Sequence, residues 1–229
     1  MDVIDLSHRI QEGMQIYPGD PVPLISPSLI HEKDYCHVDQ LQLGSHTGTH
    51  IDAPYHFVPE GRRIDEIDAG SFMGYGVLVD VSAKADQQLI LPEDLKPYAH
   101  EIQPGDFVII RTGWDRFFGT DRYFQHPHLS AASAEYLYQC GVSIVAIDAL
   151  SVDSSFSDAE GANFPVEGPE SETATEYPAH DILMNHGILI VENLCRLDQI
   201  REVRGLYAFL PLKLADSDGS PIRAVFFAL

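Results

Sequence analysis

The sequence predicts an α/β fold: one compact domain over residues 1–229, with a central mixed β structure and flanking helices. Three observations carry this. The chain has 229 residues, 45% of them apolar, enough for one sizeable core. Short runs rich in Val and Ile, bounded by Gly, Pro and Asp, read as buried strands. Helical segments fall between the later strands, and that alternation after residue 100 favours parallel pairing.

In chain order the strand runs are "GVLVDVS" (76–82), "DFVIIRTGW" (106–114), "VSIVAIDAL" (142–150), "GILIVEN" (187–193), "GLYAFLPLKL" (205–214) and "IRAVFFAL" (222–229). "PEDLKPYAH" (92–100) reads as a helix interrupted by its second proline. "LSAASAEYLYQCG" (129–141) has Ser130 or Ser133 as its N-cap, Leu137 one turn after Ala134, and Gly141 as its stop. "PAHDILMNHG" (178–187) reads as a short helix ended by Gly187. "ADSDGSP" (215–221) is a turn, so the last two strands form an antiparallel hairpin. One stretch, 152–180, has no periodicity and is acidic and rich in Ser, Glu and Pro. A connection this long inside a compact domain is a functional lid or a disordered insertion. Residues 154–178 are assigned to it as an acidic loop insertion or lid.

Charge narrows the function. The formal charge is −21, with 14 basic residues against 35 acidic ones and no basic run. Neutralising phosphates needs concentrated Lys and Arg, which excludes nucleic acid and anionic membranes as partners. A negative field favours cations, metals among them. No run approaches the roughly 18–20 apolar residues that span a bilayer. The first residues, "MDVIDLSHRIQEG", lack the basic-then-apolar design of a signal peptide. Cys36, Cys140 and Cys195 are odd in number, far apart and free of any C-x-x-C spacing. A disulfide framework is not expected, and a cytoplasmic location is.

The stretch that points to chemistry is "GSHTGTHIDAPYHF" (44–57), with His46, His50, Asp52 and His56 in fourteen positions. A helix would put His46 and His50 on one face, but Gly48, β-branched Thr49 and Ile51, and Pro54 make helix a poor reading. In an extended segment the four polar residues share parity and one side. Four residues of strand nevertheless span roughly 13 Å, and two imidazoles binding one ion at about 2.0–2.1 Å cannot meet across that gap. The chain must bend, and Gly48 is where it can. Pro54 sets a second turn that re-aims His56. A His/His/Asp set without cysteine suits a divalent ion of intermediate softness and leaves a position open for water, the mark of a catalytic site.

This motif resembles the H-x-G-T-H-x-D-x-P-x-H signature of the cyclase family of metal-dependent hydrolases, a group that includes bacterial kynurenine formamidases and isatin hydrolases. "YPGDP" (17–21), "DVS" (80–82), "RTGW" (111–114), "IDALSVD" (147–153), "GILIVENL" (187–194) and "DGSPIRAV" (218–225) extend the likeness over the chain outside 154–178. The resemblance implies a swivelling β/β/α-like domain, with metal ligands His46, His50, Asp52, His180 and Glu192, and Asp52 bridging where two ions are bound. It implies His56 as the acid–base residue and Tyr17 as the aromatic against the substrate ring, where kynurenine formamidases typically carry Trp. The implied cofactor is zinc, one or two ions, with manganese as the alternative. The implied assembly is a homodimer or homotetramer. Glu192 also stands out without the family, because a carboxylate inside the apolar run "ILIVENL" needs a partner.

The activity these readings imply is hydrolysis of a small amide C–N bond, as in N-formylkynurenine, within tryptophan catabolism. The rivals are an isatin-type cyclic amide hydrolase and a metal-bearing small-molecule binding protein without turnover.

Overall fold

The Val- and Ile-rich runs form the heart of a closed sheet. In this computed structural model, residues 2–155 and 175–228 are described. Most of the assigned insertion, residues 156–174, lies outside the described residues. In chain order the strands are β1 (Asp2–Asp5), β2 (Leu24–Leu29), β3 (Val38–Gln42), β4 (His50–Asp52), β5 (Met73–Asp80), β6 (Leu89–Ile90), β7 (Phe107–Arg111), β8 (His128–Leu129), β9 (Ile144–Ile147), β10 (Leu189–Glu192), β11 (Arg204–Pro211) and β12 (Gly219–Ala228). The helices are α1 (His31–Asp34), α2 (Pro92–Leu95), α3 (Ala131–Gln139) and α4 (Pro178–Asn185).

β5, β7, β9 and β10 pair in parallel in that order, as the alternation with helices predicts. Three antiparallel strands complete a seven-stranded ring: β11 on β5, β12 on β11, and β4 between β10 and β12. β12 is long enough to serve two neighbours on one edge. Residues 219–221 pair with β4 and residues 225–228 pair with β1. The mixed sheet therefore matches the expected central structure, and the C-terminal hairpin of β11 and β12 is present.

The helices are fewer than a fully flanked sheet would have. α3 and α4 pack together against the outer face of the parallel strands, burying Ala134, Leu137, Leu183 and Met184 with Val79, Ile110, Val145 and Ile190. Ser130 caps α3, its side chain accepting from the Ser133 N–H. The segment at 92–100 shrinks to α2 and a 3₁₀ turn over Lys96–Tyr98, since Pro97 cannot donate to a continuing helix. The run at 106–114 stops at Arg111 because Gly113, at φ +70°, turns the chain into another 3₁₀ segment, Trp114–Phe117.

All seven ring strands send side chains into a second core, which includes Ile51, Leu78, Phe107, Ile109, Ile144, Val191, Tyr207, Phe209 and Phe226. The parallel strands are thus covered on both sides, which is why they read as unbroken apolar runs rather than alternating ones. Gly205 and Gly76 face each other across β11 and β5. A methyl at Gly205 would collide with the Phe226 ring, and one at Gly76 would lie 2.5 Å from Ile109 Cδ1. Gly205→Ala is accordingly expected to destabilise the fold by about 1–3 kcal/mol through overpacking. Thermal melting reads this, and an unchanged midpoint would show that the ring has slack at Phe226.

Candidate metal centre and active site

β4 is three residues long, and each is held by a neighbour on both sides. His50 lies opposite Glu192 of β10 and Pro221 of β12, and Asp52 lies opposite Gly219. Gly48 takes φ +67° just before the strand. The bend brings the His46 and His50 rings to 5.0 Å between centroids, a closeness that a straight strand forbids. Pro54 opens a 3₁₀ turn, Pro54–His56, that returns His56 to within 4.0 Å of the His46 ring. The two turns expected from glycine and proline are both present.

The far half of the predicted set arrives from α4 and β10. His180 sits in the first turn of α4, and Glu192 ends β10. Both are buried, as are His50 and Asp52. His46 Nδ1 lies 2.6 Å from Asp52 Oδ1, and His50 Nε2 lies 3.3 Å from the same oxygen and 3.5 Å from Glu192 Oε2. His180 Nε2 lies 3.8 Å from Asp52 Oδ2 and 3.5 Å from Glu192 Oε1. Two groups of ligand-type atoms result, His46/His50/Asp52 and Asp52/His180/Glu192, sharing Asp52. All five sequence-predicted positions converge.

The second nitrogen of each histidine shows what the first one faces. His50 Nδ1–H donates to Gly48 O at 2.8 Å. His180 Nδ1–H donates to Asp153 Oδ2 at 2.8 Å, and the carboxylate also takes the Ala179 and His180 N–H groups. His46 Nε2–H donates to Asp218 Oδ2 at 2.9 Å. Each ring therefore turns its remaining nitrogen toward carboxylate oxygens, acceptor against acceptor. Such an arrangement is stable only with a cation in between, either a proton or a metal ion. Outer acceptors fixing the tautomer of inner imidazoles are the usual surroundings of metal-ligating histidines. Asp52 Oδ2 is buried with no hydrogen-bond partner, which a cation would also satisfy.

The electrostatics agree. Burial opposes a charge on His46, yet Asp52 and then Asp218 hold its proton up to about 9. Burial likewise opposes a charge on His180, but Asp153 and Asp52 raise it to about 10. His50 is held well above its ordinary value against the same burial by Asp52 and Glu192. Asp52, although buried, stays far below the usual carboxylate range because His50 and His46 surround it. The donor set of imidazole and carboxylate fits zinc or manganese, and the site carries enough negative charge to take a divalent ion.

His56 is partly exposed, and its Nδ1–H donates at 3.1 Å to the same Asp218 oxygen that His46 uses. Its Nε2 is left for the cavity. That cavity, about 500 Å³, is lined by Tyr17, Asp20, His46, His50, His56, Phe57, Tyr177, His180 and Glu192, among others. Tyr17 OH lies 3.4 Å from Tyr177 OH, Tyr177 packs edge-on to Phe57, and Phe57 stacks on His180. Burial and then Tyr177 push the Tyr17 phenol well above its ordinary range, so it remains a hydroxyl.

The sequence reading gives Asp218, Asp153 and Tyr177 no role. Asp218 lies in a segment read as a turn and Asp153 in a matched motif, and Asp153 and Tyr177 fall within the stretch without periodicity. The available signal was a count of acceptors: three inner histidines need three outer ones. His126 and His128 stand apart. His126 Nε2 lies 2.9 Å from Ser155 Oγ, and neither histidine belongs to a ligand group among the described residues.

Known proteins resemble this chain along most of its length. The family model described as "Putative cyclase" matches residues 4–154. A kynurenine formamidase of Bacillus thuringiensis (strain Al Hakam) is 31% identical over 225 residues, covering 97% of this chain and 95% of that one. Another, from Geobacillus thermodenitrificans (strain NG80-2), is 32% identical over 223 residues, with 96% and 95% covered. Among solved structures, an isatin hydrolase bound to the product analogue thioisatinate superposes with a TM-score of 0.85 over 99% of this chain and 92% of its own. At 23% identity that likeness is one of fold. A structure described as a predicted metal-dependent hydrolase from Bacillus stearothermophilus gives 0.74 at 28% identity, over 98% and 97% of the two chains. A family model matched over more than half the chain, and relatives above 30% identity along nearly all of it, place this protein in the cyclase family of metal-dependent hydrolases.

Proposed function

We propose that the protein hydrolyses the formamide C–N bond of an aryl formamide, N-formylkynurenine or a close relative, in tryptophan catabolism. The observation that carries this is the pairing of two histidine–carboxylate groups with a free acid–base nitrogen, all on one aromatic-walled cavity. His46, His50, Asp52, His180 and Glu192 would hold one or two divalent ions, zinc in the first instance and manganese as the alternative. A bound divalent ion supplies water acidic enough to ionise near neutral pH and polarises a carbonyl. His56 Nε2 takes the proton from the attacking water and returns it to the leaving nitrogen, which departs badly as an unprotonated anion. Asp218 keeps the His56 proton on Nδ1, so the base nitrogen faces the cavity. Tyr17, Phe57 and Tyr177 offer flat apolar surface to an aryl ring.

The test is turnover of N-formylkynurenine and of isatin by chelator-treated protein, before and after zinc or manganese is restored. Metal-dependent release of formate, with kcat/KM well above that for isatin, is expected. Turnover of isatin alone would make the chain a cyclic amide hydrolase. Metal binding with no turnover of either would leave a binding protein.

We also read the protein as a cytoplasmic homo-oligomer. No helix among the described residues is long and apolar enough to cross a membrane, and the three cysteines are unpaired. β2 and β3 form a hairpin whose residues are nearly all exposed, with Leu24, Leu29, Val38 and Leu41 bare. A two-stranded hairpin is marginal alone in water, and a second copy would cover it. Light scattering gives the assembly mass, and a monomer at micromolar concentration would refute this reading.

A further inference from the structure

One carboxylate in the cavity has no hydrogen-bond partner among the described residues. Asp52 faces His46 and His50, Asp218 serves His46 and His56, and Asp153 serves His180. Glu192 accepts from the Val152 N–H at 2.8 Å. Asp20 also lines the cavity, half-buried, yet no hydrogen bond reaches its carboxylate among the described residues. Its surroundings act on it only through burial, which raises its pKa, and through the charges of His46, His50, His56 and Asp52.

Its placement is built. Asp20 N–H donates to Tyr17 O at 3.1 Å, closing a turn over Tyr17-Pro18-Gly19-Asp20. Gly19 at φ +99° and Pro18 before it are the residues a type II turn asks for. The two ends of the turn, Tyr17 and Asp20, are thereby set side by side on the cavity. A rigid turn that offers an aromatic ring and an unspent acceptor is a recognition element: apolar surface for one part of a ligand, and a polar group that fixes its orientation. A partly desolvated carboxylate gains most from a charged donor.

We infer that Asp20 is a specificity-determining residue that accepts a hydrogen bond from an ammonium group of the substrate. It thereby selects aryl amides bearing a basic amine over neutral or anionic ones. This deepens the proposed function and rests on the reading of the cavity as an aryl-amide site.

The test uses the metal-loaded full chain at pH 7 and two formanilides with the same ortho-acyl ring, one carrying an alkylammonium on the acyl chain and one lacking it. Asp20→Asn is expected to raise KM for the ammonium substrate about 10- to 100-fold, the loss of one hydrogen bond to a charged group. It should leave kcat, the constants for the neutral substrate and the bound metal within about threefold, the scatter of an uninvolved side chain. Equal losses on both substrates, loss of metal, or no change would each overturn the assignment. If the wild type cleaves neither compound, the amide-hydrolase reading fails and the role of Asp20 is read from binding. Calorimetry with the corresponding anilines should then show an ammonium preference in the wild type that Asp20→Asn abolishes. Absence of that preference overturns the inference on its own.

Discussion

His56→Ala is expected to lower kcat by ~10²–10⁴-fold, the range of a positioned acid–base group, while the protein keeps its bound metal. His56 lies beyond the turn at Pro54, outside the two ligand groups that share Asp52, and its Nδ1 is spent on Asp218. Only Nε2 is available for chemistry. The residue also belongs to a third cluster with His46 and Asp218, so a ligand role is the competing reading. Metal analysis beside the kinetic assay separates the two. Metal lost in step with activity would make His56 a ligand, whereas metal retained with slow turnover makes it the proton carrier. Asp218→Asn removes the charge that holds the His56 tautomer and is expected to give an intermediate loss in kcat with little change in KM. Its carboxyl sits far below the usual range because His46 and His56 both donate to it, so that charge is present at any working pH.

The parts of this site that could be read from the sequence are those governed by local geometry. Parity along 46–56, the bend at Gly48 and the turn at Pro54 follow from backbone rules that operate over a few residues. Glu192 was visible because an acid in an unbroken apolar run must find a counter-charge. Asp218, Asp153 and Asp20 were not, since their roles depend on which way a histidine's second nitrogen or a turn's last residue points after folding. The same division holds for the fold. Strands buried on both faces, β5, β7, β9 and β10, announce themselves by composition. β4 has only Ile51 between two polar residues, too little for a pattern, and β2 and β3 bury almost nothing in this chain. Yet β4 closes the ring and carries the centre. A strand selected for ligands has lost the apolar signature that would identify it, and it survives because β10 and β12 pair with it on both edges.

Asp52→Ala should have the largest effect of any single change, abolishing turnover and removing all tightly bound metal. Asp52 is the member common to both ligand groups. Oδ1 faces His46 and His50, while Oδ2 faces His180 and lacks any other partner. Removing it takes one ligand from each group and leaves the imidazoles of His46, His50 and His180 beside Glu192 alone. A divalent ion held by neutral imidazoles with half the negative charge gone is poorly compensated in a buried site. His180→Ala makes the discriminating comparison, because it touches only the Asp52/His180/Glu192 group. With two ions, the wild type binds two equivalents, His180→Ala keeps about one, and Asp52→Ala keeps none. With one ion, saturating zinc or manganese loads a single equivalent into the wild type. His180→Ala then shows whether that ion sits with His46 and His50, surviving the change, or with His180 and Glu192, leaving with it. Retention of full metal by Asp52→Ala would sink both versions, since Asp52 is the one carboxylate that both ligand groups share.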